Sequence, residues 1–295
     1  MDNLTHTLVG LAIAKAGLER VSPYATGLAI VAANAPDSDI VTVAGGQFTY
    51  LEQHRGVSHS IVGTLAFALA LPVVLYACER LWSRVRGRAP RARLGGLLLV
   101  SLVDSATHPL LDYTNNYGVR PLLPWDARWF YGDLVFIFDP WLWLVIGGAC
   151  FLLTAQTRRR VLAWALLGLI LTGVVFALPQ RLGSPAPRAL WPLWLAGLTA
   201  LALARRFDLV ARWDGSVARI ALALLVVYWG VLGALHAAAL ERARASSRML
   251  AETRGEMVLK VAAMPTFANP LGWVCVAETD GAHYRFRLSL KQDAA

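Results

Sequence analysis

The sequence predicts an all-α polytopic membrane helix bundle of about eight membrane elements, the first two short or broken, with a small C-terminal β-containing extramembrane tail. Three observations carry this expectation. Apolar residues make up 57% of the 295 positions and charged residues only 16%, a balance that soluble domains do not show. Sustained apolar runs recur along the chain, several near the roughly 20 residues needed to cross a hydrocarbon core. The basic residues behind the net charge of +9 lie in short clusters between those runs, as positive-inside topology produces. A nucleic-acid partner would require one contiguous basic face; none is visible, so the lipid bilayer is the expected partner.

The elements follow in order. Positions 4–18 and 25–44 are apolar but interrupted by His6, Asn34, Pro36, Asp37 and Asp39. Such stretches read as short or broken helices facing a protein interior or wet cavity, because irregular backbone is not tolerated against lipid. Uninterrupted runs follow at about 61–79, 94–111, 140–155, 161–178, 189–204 and 217–240. The shorter of these need tilt or help from their flanks. After Leu240 the composition turns to Arg, Glu, Ser and Lys, which reads as a helix leaving the membrane. The division expected is a membrane helical domain over 1–245 and an extramembrane tail over 246–295. From about Trp273 the tail reads as strand: Tyr284, Phe286, Leu288 and Leu290 alternate with Arg285, Arg287 and Ser289, and Asp280-Gly281 is a hairpin turn.

Loop charge orients the elements. Lys15, Arg20, Arg80, Arg84, Arg86, Arg88, Arg91, Arg93, Arg158, Arg159, Arg160, Arg205, Arg206, Arg212 and Arg219 fall in alternate loops, and the remaining loops hold only Arg55, Arg120, Arg128, Arg181 and Arg188. The Arg-rich loops are therefore expected in the cytoplasm, with both termini extracytoplasmic. This places His6, Asp37, Asp39, His54, His59, His108, Asp112, Asp133 and Asp139 at or near the outer ends of their elements. Cys78, Cys150 and Cys275 have no CxxC partner and read as packing residues. No cleavable signal peptide is expected, since Met1-Asp2-Asn3 lacks a basic leader region.

Four polar motifs could carry chemistry. In His54-Arg55-Gly56-Val57-Ser58-His59-Ser60, Ser58 reads as an N-cap for the next helix. The two histidines converge only if His54 sits in the preceding turn; the bland reading is a polar interfacial loop. Asp104, His108 and Asp112, four apart, form one helical stripe inside an apolar run. Ionisable groups there are costly unless paired, metal-bound or facing water, and an Asp-His pair stapling helices is the structural alternative. In Asn34-Ala35-Pro36-Asp37-Ser38-Asp39 the carboxylates can converge on a cation or simply cap a helix. His6 alone would be a structural histidine, and Asp133 and Asp139 could be ligands, orienting groups or caps.

Together these residues suit a mixed His/carboxylate site for Zn²⁺, with Mn²⁺ or Fe²⁺ as alternatives, and there are enough of them for one or two ions. The expected metal ligands are His6, Asp37, His54, His59, His108 and Asp112. Arg55 is the expected clamp for a substrate oxygen, with Asp39 and Asp133 in catalytic or supporting roles and Asp104 and Asp139 behind them.

Asp2-x-x-Thr5-His6, Pro36-Asp37-x-Asp39, His54-Arg55-Gly56-x-x-His59-Ser60, His108-x-x-x-Asp112-Tyr113, Tyr131-Gly132-Asp133, Asp139-Pro140-Trp141 and Asn269-Pro270-Leu271-x-Trp273 occur in this order. In this the chain resembles the bacterial LexA-regulated, membrane-bound metal-dependent hydrolases. The resemblance implies metal-dependent hydrolysis at the inner membrane, and an interfacial site suits a lipid or lipid-linked ester. The competing expectations are an ion or metal transporter, whose ionisable groups would be spread across the bilayer depth, and a non-catalytic structural metalloprotein.

Overall fold

The computed structural model describes residues 1–183, 186–210 and 212–291; the last four residues of the expected tail lie outside them. The chain is mostly helical. Helix α1 (Asn3–Lys15) starts where the Asp2 carboxylate accepts from the Thr5 amide and hydroxyl, which satisfies an amide that the first turn leaves free. Helix α2 (Ala25–Asn34) ends where Pro36 opens a 3₁₀ stretch, Ala35–Gly45. The short α3 (Gln47–Gln53) follows, then a 3₁₀ turn, Val57–His59. The first apolar region is thus broken, and its breaks are where the acidic and histidine motifs sit.

Helices α4 (Ile61–Val85) and α5 (Leu94–Tyr113) form an antiparallel hairpin about the first Arg-rich loop. The N-cap of α4 is Ser60, whose hydroxyl accepts from the Gly63 amide. This corrects the assignment of Ser58, whose hydroxyl is turned toward Asp39. After the loop 114–139, Asp139 caps α6 (Pro140–Leu142) by accepting from the Trp141 and Leu142 amides. A π-turn, Trp143–Gly147, links it to α7 (Gly148–Thr154). Helices α8 (Arg158–Arg181), α9 (Leu190–Arg206) and α10 (Ser216–Arg254) complete the bundle.

Four helices, α4, α5, α8 and α10, are long and apolar enough to cross a membrane, and Pro140–Thr154 is a shorter apolar segment. Of the expected eight elements, four have the length of a full crossing among the described residues. The stretches at 4–18 and 25–44 form helices of 13 and 10 residues, about 15–20 Å at 1.5 Å per residue against a core of ~30 Å. Leu65, Leu69 and Val73 on α4, Leu162, Leu166 and Leu169 on α8, and Val226, Val227 and Val231 on α10 point away from the protein. In water such faces would be association patches; in lipid they need no partner.

Helix α10 has 39 residues, roughly 58 Å, about twice the hydrocarbon thickness, so it is longer than a crossing requires. Strands β1 (Val258–Thr266), β2 (Asn269–Thr279) and β3 (His283–Ser289) form an antiparallel meander. Ala239 and Ala243 of α10 pack against Ala263, Trp273 and Cys275 of that sheet. The hairpin at Asp280-Gly281 is present, and β1 lies upstream of the expected strand start. The sheet also reaches the α6 end of the bundle, where the Trp141 indole donates to the Ala268 carbonyl.

Gly63 fixes the join between the Val57–His59 turn and α4. A β-carbon there would lie 1.9 Å from the Val57 carbonyl oxygen, whereas at Gly230 it would meet nothing within 4 Å. Gly63→Ala is expected to destabilise the protein by about 1–3 kcal/mol or more, and Gly230→Ala to be neutral or slightly stabilising. Thermal unfolding in detergent measures both.

Candidate metal centre

The broken N-terminal region and α5 bring four side chains to one point. His108 and Asp112, one turn apart on α5, face Asp37 from the 3₁₀ stretch and His59 from the turn before α4. The Nε2 of His59 lies 3.3 Å from Asp37 Oδ1 and 3.3 Å from Asp112 Oδ2. The Nε2 of His108 lies 3.4 Å and 3.5 Å from the same oxygens, and the two Nε2 atoms are 3.1 Å apart. Bonds of about 2.0–2.1 Å in a tetrahedron place neighbouring ligand atoms ~3.3–3.4 Å apart. Five of the six separations therefore lie near the spacing a small divalent cation imposes, all four atoms fall within 4.8 Å of one another, and they could hold one.

The outer contacts aim these atoms inward. His108 Nδ1 lies 2.6 Å from the Ala33 carbonyl oxygen, which fixes the tautomer and leaves Nε2 a lone pair. His59 Nδ1 lies 3.0 Å from the Ser58 hydroxyl and 3.4 Å from Asp39 Oδ2. Asp37 Oδ2 accepts from the Asn3 amide at 2.8 Å, so Oδ1 faces the imidazoles. Asp112 is divided likewise: Oδ1 meets Arg55 at 2.9 Å and the Met1 amino group, whereas Oδ2 has no hydrogen-bond partner among the described residues. A fully buried carboxylate oxygen without a partner is what a bound cation would explain. His6 adds to this. Its ring stacks on His108 at 3.8 Å, its Nε2 lies 3.4 Å from Asp112 Oδ1, and neither ring nitrogen has a hydrogen bond although both are buried.

A second group, Asp37, Asp39 and His54, shares Asp37 with the first. His54 Nδ1 lies 3.1 Å from Asp39 Oδ1. Asp39 also accepts from the Arg55 amide at 2.9 Å and the Ser58 hydroxyl at 3.2 Å. Arg55 has φ 54°, a left-handed conformation uncommon outside glycine, and it swings the chain so that His54 and His59 approach, their rings 5.9 Å apart. Asp37 and His54 side chains are 17% and 16% exposed, whereas His59 and Asp112 are 0% and 1%; the second group forms the mouth and the first the floor. Burial alone would raise the Asp37 carboxyl, but hydrogen bonds from His108 and His59 hold it below its ordinary value. Asp39 is also held low: burial opposes ionisation, and the contacts from His54 and His59 outweigh it.

The other expected site residues lie around this centre. The Arg55 guanidinium is buried and donates to Asp112 Oδ1, the Asn115 side chain and the Gly118 carbonyl, with Tyr117 over its face at 4.7 Å. Both terminal nitrogens of the expected clamp are thus bonded within the protein, where they brace Asp112, and its Nε has no partner among the described residues. Asp133, at φ 52°, lies outside both groups. Backbone bonds from Gly132 to the Tyr113 carbonyl and from Leu134 to the Thr114 carbonyl hold it beside the end of α5, and burial pushes its carboxyl up to about 6. Asp139 is a helix cap whose other oxygen accepts from Tyr228. Asp104 is fully buried with neither oxygen bonded. Asn3, Ser58, Asn115 and Gly118 were not anticipated. Their signal is only proximity to a motif, since each acts by a bond across the fold.

Apolar helices that need lipid around them, with a buried His/Asp cluster at the end of one of them, define an integral membrane protein with a candidate cation site. More particularly, the chain belongs to the YdjM inner membrane protein family, whose model matches residues 1–183, a span that holds every residue of both ligand groups. It is 28% identical over 154 residues to the uncharacterized protein YfhP of Bacillus subtilis (strain 168), covering 49% of this chain and 43% of that protein. The chain thus spans less than half the length of that relative. No solved structure matches.

Purified protein supplemented with Zn²⁺ or Mn²⁺ is expected to retain metal, and His59→Ala and Asp112→Ala to lose it. Asp39→Asn, which removes a carboxylate of the second group together with the contacts behind His59 and His54, should weaken binding by about 10–100-fold or more in a chelator-competition titration. Equal metal content in all four proteins would remove the centre.

Proposed function

We propose that the chain is a membrane-embedded metal-dependent hydrolase acting on a lipid or lipid-linked ester at the membrane face where this centre lies. The observation that carries the reading is Asp37, common to a buried ligand group and a partly exposed one. A shared carboxylate between two adjacent ligand sets suits a two-metal hydrolytic site. The donors, imidazole and carboxylate without thiolate, fit Zn²⁺, and Mn²⁺ or Fe²⁺ use the same set. Divalent ions held there supply Lewis acidity toward the attacked ester and make water a usable nucleophile near neutral pH.

The chain's own residues divide the remaining work. Arg55 orients Asp112, and Asp39 holds the Nδ1 sides of His54 and His59. The floor of the site is buried, which strengthens its electrostatics. The partly exposed edge at Asp37 and His54 admits substrate from the interface, which favours a substrate already in the membrane. Asp133, whose neighbours' backbone is bonded to the end of α5 that carries Asp112, is assigned the proton acceptor's role, which a carboxyl raised by burial to about 6 would suit.

Asp104 supports a second reading, transport of a cation. With Ser101 and Ser105, all buried without partners, it extends the polar stripe of α5 roughly 12 Å inward from Asp112 at 1.5 Å per residue. Loss of metal flux in vesicles by Asp104→Asn, with no hydrolysis by the wild type, would favour transport.

Reconstituted protein offered a panel of labelled phospholipid and lipid-linked esters is expected to release product in a chelator-sensitive manner. His59→Ala should be inactive, and full turnover by it would sink the catalytic assignment. Asp133→Asn should keep its metal and lose roughly 10²–10⁴-fold in rate. Because the proton acceptor works unprotonated, wild-type activity should rise as pH passes through about 6, and that limb should vanish in Asp133→Asn.

A further inference from the structure

A cavity of about 520 Å³ lies among α7, α8, α9 and the π-turn, with Leu8 of α1 in its wall. This is within the range of small-molecule sites, and its lining is hydrocarbon. Its three indoles spend their N–H groups within the protein: Trp143 donates to Thr5, Trp164 to Thr154 and Trp194 to Thr172, whose own hydroxyl donates to the Gly168 carbonyl. An occupant therefore meets mostly carbon, which selects an apolar one. Gly168 lines the cavity, and a β-carbon there would meet no atom within 4 Å, so the helices leave this space open.

Two further features identify the occupant. On α8 the lining runs from Val161 to Thr172, roughly 16 Å at 1.5 Å per residue, or about half of a ~30 Å hydrocarbon core. That is the depth of one leaflet. At the Val161 end the three preceding residues are Arg158, Arg159 and Arg160, all exposed, and none of their guanidinium groups meets a carboxylate among the described residues. On α9 the lining residue Ala202 is followed one turn later by Arg205 and Arg206. Arg205 is committed to Asp208 and the Ala155 carbonyl, which leaves the three α8 arginines, with Arg206 beside them, as the open positive charge.

We infer that this cavity holds one acyl chain of an anionic phospholipid from the Arg-rich leaflet, with the phosphate at Arg158–160. Apolar depth matches the chain, and guanidinium groups at the rim match the headgroup. The site is separate from the metal centre and does not depend on the hydrolase reading.

Full-length protein reconstituted in equal parts phosphatidylglycerol and phosphatidylcholine, then examined by native mass spectrometry, tests the inference. The wild type is expected to retain one phosphatidylglycerol. Gly168→Phe, which fills the cavity, should lose it. Gly173→Phe adds the same bulk on α8 where a β-carbon also meets nothing within 4 Å but outside the cavity, and should keep it. The triple change Arg158→Gln, Arg159→Gln, Arg160→Gln touches only exposed side chains and should lower the preference for phosphatidylglycerol by roughly tenfold or more. Retention of both lipids without preference by the wild type, or undiminished retention by Gly168→Phe, would overturn the inference. Should Gly168→Phe fail to fold, an unchanged preference in the triple variant does the same.

Discussion

The N-terminal architecture depends on how one carboxylate, Asp112, is accommodated inside an apolar bundle. A buried charge without partners costs several kcal/mol, and breaking a buried pair costs about 3–5 kcal/mol because the other charge is left behind. Asp112 is almost completely buried, and the chain meets that cost from three directions: Arg55 from the loop before α4, His6 from α1, and His59 and His108 around the other oxygen. The helix breaks follow from this. An unbroken helix through 25–59 could not carry Asp37, Asp39, His54, Arg55 and His59 to one point, because at 1.5 Å per residue it would spread them over roughly 30 Å. Pro36 and the left-handed turn at Arg55 bend the backbone back, and Arg55 in turn needs Asn115 and Gly118 as acceptors.

That arrangement explains which parts were legible in the sequence. The Asp104-His108-Asp112 stripe was readable because helical periodicity is local and charge in an apolar run is conspicuous. The long helices α4, α5, α8 and α10 were readable for the same reason. The number of membrane elements is less legible, because hydropathy recognises apolar stretches whatever covers them. Helices α1 and α2 are apolar because Leu8, Ala12, Ala29 and Ala32 are packed within the protein, and composition does not distinguish a protein neighbour from a lipid one. Strand β1 was missed because Ala262, Ala263 and Pro265 lack the alternation that marks β3.

The role of Arg55 was illegible for a different reason. An arginine between two histidines has the same appearance whether it awaits an oxyanion or braces a carboxylate. The brace on Asp112, 57 positions away, is visible only as a distance in the fold. The same holds for Ser58 and Asn3, ordinary polar residues until the fold places Asp39 and Asp37 beside them. What sequence reasoning lacks here is the partner, since the chemistry of each group was visible.

Helix α1 links the two sites. Successive residues turn by about 100°, so His6 and Leu8 point to nearly opposite sides, one against His108 and the other into the apolar cavity. Between them Thr5 is held from both directions: its hydroxyl donates to Asp2 at the helix start and receives the Trp143 indole from the cavity wall. A shift of Trp143 on filling of the cavity would therefore be felt at Thr5, next to His6, and transmitted to the imidazole stack over Asp112. Close-packed interiors pass on small displacements because neighbours have no free space to absorb them. Gly10 leaves little: a β-carbon there would fall 2.9 Å from Ala33 Cβ, on the residue whose carbonyl orients His108. The rigidity of α1 against α2 is thus what would convert an apolar contact on one side of the helix into a change in ligand geometry on the other.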